Sequence, residues 1–174
     1  MKHIFRIFIA LFFVFVSFSS FNANAQRPIH ELHSMLIFNF IKYIEWPAET
    51  KSGEFVIAVY GDDDVYEQLN KLYGQRKVKG QNAEIVKVSD VSAINNAHII
   101  YLASNKSRDF ETILEKYDTK PTLIITDKSG LGKKGSSINF REVGGKLKFE
   151  INQSTFDNSN LKISSQLVNM GIAI

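Results

Sequence analysis

Four short apolar runs alternate with segments of helical periodicity, and that alternation restricts the fold more than any single motif. Glu54 to Tyr60, Ala83 to Val88, His98 to Leu102 and Thr122 to Thr126 read as strands. Val65, Leu69 and Leu72 mark a helix closed by Gly74, and Phe110, Ile113 and Leu114 mark another over Asp109 to Tyr117. Strands separated in this way by helices pair into a largely parallel sheet. The end of the chain departs from the alternation. Ser137 to Val143 and Lys146 to Asn152 flank Gly144-Gly145, a dipeptide suited to a tight hairpin. Folding there pairs Phe140 with Phe149 and Ile138 with Ile151 on one face and sets Arg141 against Lys148 on the other. Ser154 to Asn160 is polar, while Ile163, Leu167 and Met170 predict a terminal helix over Leu161 to Met170. The expected fold is α/β: a single Rossmann-like three-layer domain, its sheet largely parallel, with a C-terminal β-hairpin and a terminal helix.

A further helix is expected ahead of the first strand, from Pro28 to Ile44, where Trp46-Pro47 forbids continuation. Its apolar face is wide. Leu32, Tyr43, Leu36, Ile29, Phe40, Ile44, Ile37 and Ile41 fill an arc of about 180°, beyond the roughly 100° stripe of an ordinary surface helix. Cover on two sides is therefore expected. Phe38 falls opposite, beside Glu31 and Glu45, where an aromatic ring gains nothing unless something packs on it. That makes Phe38 an interface candidate.

At the very start, Lys2 and Arg6 precede the ten-residue apolar run Ile7 to Val16, and Ala23-Asn24-Ala25 follows. The run is too short for a bilayer that needs about 20 apolar residues, so residues 1–25 read as a secretory signal cleaved between Ala25 and Gln26 rather than as a retained anchor. Export to the periplasm follows, and residues 26–174 form the expected domain. Removing the signal lowers the net charge from +3 to +1, because Lys2 and Arg6 leave and no acid does. Nucleic acid is an unsuited partner for so small a charge. The sequence has no cysteine, which excludes disulfides, cysteine-metal sites and cysteine nucleophiles together.

The motifs that suggest chemistry are weak. Gly130-Leu131-Gly132-Lys133-Lys134-Gly135 matches G-x-G-x-x-G, but a strand follows where dinucleotide binding needs a helix, so a glycine turn is expected. Asp62-Asp63-Asp64 after a strand could form an acidic phosphate-accepting pocket, yet the third strand ends in Ala103-Ser104 where such a pocket wants an Asp. Helix capping is the plainer reading. His30 and His33 lie three apart but lack a third metal ligand, and His98 opens a buried strand, so no metal site and no cofactor are expected. Arg141 opposite Lys148 is the odd charge, which a bound anion, a partner or Glu150 on the diagonal would relieve.

Two segments carry a resemblance. Phe38-Asn39-Phe40-Ile41-Lys42-Tyr43-Ile44-Glu45-Trp46-Pro47 is one; the other runs from Ile138-Asn139-Phe140 through Lys148-Phe149-Glu150-Ile151-Asn152 to Leu161-Lys162-Ile163-Ser164-Ser165-Gln166-Leu167. Together they resemble the YfiR/HmsC-like family of small periplasmic proteins. The resemblance implies a dimeric α/β protein that restrains an inner-membrane diguanylate cyclase through its periplasmic sensor part, with output in cyclic-di-GMP signalling, adhesion and biofilm. The family also occurs with sensor kinases, which leaves the kind of membrane partner open. Many members have Cys-His opening the third strand; here it is Ala97-His98, so redox gating does not carry over.

Three functional readings follow. In the first, the protein acts by contact, with Phe38, Tyr43 and Trp46 as aromatic anchors beside Ile41. In the second, a small ligand enters at the carboxyl ends of the parallel strands near Gly61 and Ser104, with Arg141 and Lys148 as further ligand or anion contacts. In the third, Asp62 or Asp63 serves a hydrolase, although no oriented base accompanies them.

Overall fold

The structure is a computed structural model that describes residues 28–174. The expected secretory signal and its cleavage site lie outside the described residues. Helix α1 spans Ile29–Tyr43 and leads directly into strand β1, Ile44–Glu45. Ile44 is already extended (φ −117°, ψ 136°), three residues before Pro47. Strand β2 (Phe55–Tyr60) follows, then helix α2 (Asp63–Tyr73), the short strand β3 (Lys77–Val78), β4 (Gln81–Val88), β5 (Ile99–Leu102), helix α3 (Phe110–Tyr117) and β6 (Leu123–Thr126). The chain ends with β7 (Ile138–Val143), β8 (Lys146–Ile151), α4 (Gln153–Asn158), β9 (Lys162–Ile163), α5 (Ser165–Met170) and β10 (Ile172–Ala173).

One eight-stranded sheet has the order β10-β8-β7-β6-β5-β2-β4-β3. Strands β4, β2, β5, β6 and β7 run parallel in it, and β8 turns back antiparallel to β7. The register of that last pair sets Ile138 opposite Ile151, Phe140 opposite Phe149 and Arg141 opposite Lys148. The parallel strands carry apolar residues on both faces because helices lie against both. Phe55, Ile57, Val59, Tyr101, Ile125 and Phe140 pack with α1 and α2, whereas Ala58, Tyr60, Ile100, Leu102 and Ile124 pack with α3.

Two parts of the chain's end differ from expectation. The polar stretch after β8 forms α4, held by the single buried ring of Phe156. The terminal helix is shorter than its periodicity implies. Lys162–Ile163 instead pairs antiparallel with β1, and the helix starts only after Ser164, whose hydroxyl accepts from the Leu167 N–H at 3.3 Å. Pairing with β1 overrides the local pattern because it satisfies backbone groups that a helix start would leave open. Beyond α5, β10 adds a parallel edge strand to β8. Among the described residues no helix is long and apolar enough to cross a membrane.

Candidate functional site

Helix α1 has two apolar zones with different fates. His33, Ile37, Phe40, Ile41 and Ile44 are buried against the sheet. Ile29 is 53% exposed, and Leu32, Leu36 and Tyr43 are half-buried. These four fall within about 60° of one another on the helix, so they form one apolar row along the rim. Helix α5 contacts α1, and Met170, Ile172 and Ile174 are exposed at the end of the chain.

The anchors expected from the sequence divide. Tyr43 lies on the rim row. Phe38 is half-buried, and the ring it was expected to need comes from its own chain: Tyr73 of α2, with centroids 5.1 Å apart. The Lys42 ammonium sits 4.5 Å from the Phe38 centroid. Ile41 and Trp46 are corrections, being 4% and 5% exposed. The Trp46 ring meets Phe55 edge-on at 5.0 Å and its Nε1–H donates to the His98 carbonyl at 3.3 Å. The side chains of Ile41 and Trp46 are both buried within this chain rather than exposed on the row.

The expected anion contact at Arg141 is also revised. Its guanidinium donates to Glu150 Oε1 at 2.6 Å, so the diagonal acid neutralises it. Glu150 is buried, and its second oxygen accepts from Asn139 Nδ2 at 2.9 Å. Asn139 Oδ1 in turn accepts from Thr126 at 2.7 Å. Asn139 and Glu150, both in the segment that carries the resemblance, are thus a cross-strand pair within a structural network. Lys148 remains exposed. Gly132 of the glycine turn packs on this network: a Cβ there would stand 2.8 Å from Glu150 Oε2. No helix follows that turn, as expected.

At the carboxyl ends of the parallel strands the crevice beside Gly61 is filled. Asn105 donates to the Gly61 carbonyl at 2.8 Å, and a Cβ on Gly61 would collide with Asn105 Oδ1 and come within 2.6 Å of Lys106 Cγ. Ser104 is exposed at the start of the same short turn. Asp62 caps α2, accepting from the Val65 N–H at 2.9 Å, which is the plainer role expected of the acidic run.

Nearby is a polar chain that sequence reasoning did not assemble. The Tyr101 hydroxyl donates to Asp127 Oδ2 at 3.0 Å, so its oxygen must accept from His33 Nδ1–H at 2.9 Å. The His33 ring also stacks on Phe140 at 4.3 Å. Burial holds the imidazole down at about 4, hence neutral, and pushes Asp127 up. Among the described residues Asp127 Oδ1 is buried without a hydrogen-bond partner. The sequence signal was His33 inside the apolar arc; its partners are 68 and 94 positions away and left none.

The opposite end of the sheet is open. A cavity of about 670 Å³ lies at the amino ends of β2, β5 and β6. His98 holds its wall: Nδ1 accepts from the Val56 N–H at 3.1 Å, so Nε2 carries the proton and donates to the Thr50 carbonyl at 3.0 Å. Burial lowers the pKa of this histidine too, keeping it neutral.

No curated protein is similar enough to serve as a relative. The sequence profile described as YfiR/HmsC-like matches residues 30–172, from the first turn of α1 to β10. The chain therefore belongs to the YfiR/HmsC-like family.

Proposed function

We infer that the protein is an exported regulator that works by contact, restraining a diguanylate cyclase of the inner membrane through its periplasmic sensor part. This reading takes residues 26–174 as one Rossmann-like three-layer domain, released into the periplasm after cleavage at Ala25 and paired as a homodimer. The observation that carries it is the apolar row of Ile29, Leu32, Leu36 and Tyr43 on the helix that leads into the family's Glu-Trp-Pro segment. Tyr43 is of a residue type enriched among interface hot spots, the aliphatic side chains beside it add area that excludes water, and a row on a helix firmly seated by Phe40 and Ile44 is presented without reorganisation. The acid–base groups gathered by the fold point the same way, since His33 and Tyr101 are buried and satisfied by one another rather than turned toward a substrate.

The test replaces Ile29 and Leu32 together by Asp and follows capture of the inner-membrane protein by cross-linking in intact cells. Capture should fall at least tenfold while the urea midpoint of the purified variant stays within error. Undiminished capture would refute the row as the contact surface. Identification of the captured protein as a sensor kinase would move the output away from cyclic-di-GMP.

A further inference from the structure

In open α/β sheets ligands usually enter at the carboxyl ends of the strands, but here the roomy site is at the other end. Its volume of about 670 Å³ falls within the roughly 300–1,000 Å³ of small-molecule sites. Val56, Ile94 and Pro121 give it apolar lining. Two of its acids adjoin. Glu54, just before β2, and Glu84, on β4 opposite Val56, meet carboxyl to carboxyl. Desolvation, followed by the hydrogen bond and like charge of Glu54, pushes the Glu84 carboxyl up. An ammonium set between two such groups satisfies both and removes their repulsion.

The opposite charge lies across the sheet. Lys116 is engaged, its Nζ donating to the carbonyls of Val91 and Ile94 at 3.3 and 3.2 Å. Lys120 is exposed, its ammonium 4.7 Å from the centroid of Tyr117, and it stands three residues before β6. The strand order β4-β2-β5-β6 separates the acidic pair from Lys120 by two to three strand spacings, roughly 10–14 Å at about 4.8 Å each. That span selects the ligand. A free amino acid carries its two charges on neighbouring atoms and reaches one end only, whereas an extended peptide covers about 3.4 Å per residue.

We propose that this cavity binds a short peptide of about three residues, its free amino terminus at Glu54 and Glu84 and its free carboxylate at Lys120. The wall is built before the ligand arrives. Gln81 Nε2 donates to the carbonyls of Thr50 and Ser52 at 3.0 and 3.3 Å, and His98 holds Thr50 from the other side. The carbonyl of the same histidine accepts from Trp46, so the wall is tied to the turn that ends α1. The site does not depend on the identity of the membrane partner.

Isothermal titration of the purified protein with Ala-Leu-Ala tests it. Saturable binding is expected, weakened at least tenfold by N-acetylation, by C-amidation and by the double substitution Glu54→Gln, Glu84→Gln, with leucine at least tenfold weaker. In Lys120→Ala the amidated and free peptides should bind alike. No saturable binding of Ala-Leu-Ala overturns the proposal, as does binding indifferent to blocked termini or to the double substitution, or equally tight binding of putrescine or succinate. All three substituted residues are exposed, so unchanged urea midpoints show that any loss belongs to the site.

Discussion

The two ends of the sheet share strands and differ in what the connecting segments put between them. At the carboxyl ends Asn105 and Lys106 occupy the space beside Gly61, and the His33–Tyr101–Asp127 chain joins α1 to β5 and the residue after β6. At the amino ends His98 and Gln81 bond backbone carbonyls of the segment before β2 and leave the space in front of the strands empty. Topology selects where a crevice can form; the side chains of the loops decide whether it stays one. In this chain polar side chains close the usual crevice, and an open cavity occupies the less usual end.

Four measurements press on that difference. The largest effect belongs to Trp46→Ala. Removing a ring that is 5% exposed and braces the wall of the open end should cost about 3–5 kcal/mol in urea unfolding. A variant of wild-type stability that merely loses its partner would restore Trp46 as an exposed anchor.

Next is a pH dependence at the closed end. His33 is held at about 4 by burial, while Asp62 and His30 act on it in opposite senses, and its ordinary value is 6.5. A depressed histidine contributes its stability fully above the unfolded value and loses it as pH falls toward the folded one. The loss between pH 6.5 and 4 amounts to as much as about 3 kcal/mol. Asp127 is raised, so its contribution has the opposite sign: it is lost as pH rises through its folded value. His33→Phe removes the first contribution alone. Urea midpoints from pH 7 down to 4.5 should therefore decline less steeply in the variant, and equal slopes would mean that the imidazole reaches water.

Gly61→Ala should destabilise by about 1–3 kcal/mol. Its φ of +97° disfavours any side chain, and the added carbon would stand 2.6 Å from Lys106 Cγ. Thermal melting checks it, and a neutral result would show that the plug yields easily. The smallest effect is at the open end: Lys120→Ala should leave the urea midpoint within about 0.5 kcal/mol, because the residue is exposed and borders empty space. A larger loss would mean that the cavity wall depends on it.

How much of this was legible depended on distance along the chain. Each parallel strand and its helix could be read from a dozen neighbouring residues, and Gly144-Gly145 sufficed to align Phe140 with Phe149. Asp62 as a helix cap and Glu150 as the diagonal relief of Arg141 are likewise short-range inferences that the structure supports. What was not legible was long-range. Trp46 reads as an anchor until Phe55 and His98 are brought around it, and the lone aromatic Phe38 gains its neighbour only when α2 folds against α1. Lys162–Ile163 looked helical because its partner strand, β1, lies more than a hundred residues earlier.

Hydrophobic periodicity, turn residues and the want of cysteine are properties of neighbours and composition, so the sequence alone was enough to specify an α/β chain of this family that packs without disulfides. Which apolar residues of α1 stay at the rim, which end of the sheet is sealed and where a cavity remains were decided only in three dimensions. Those outcomes rest on contacts such as His33 with Tyr101, Asn105 with Gly61 and His98 with Thr50, separated by 68, 44 and 48 positions. A local pattern can state that a side chain needs a neighbour; only the folded chain supplies which one.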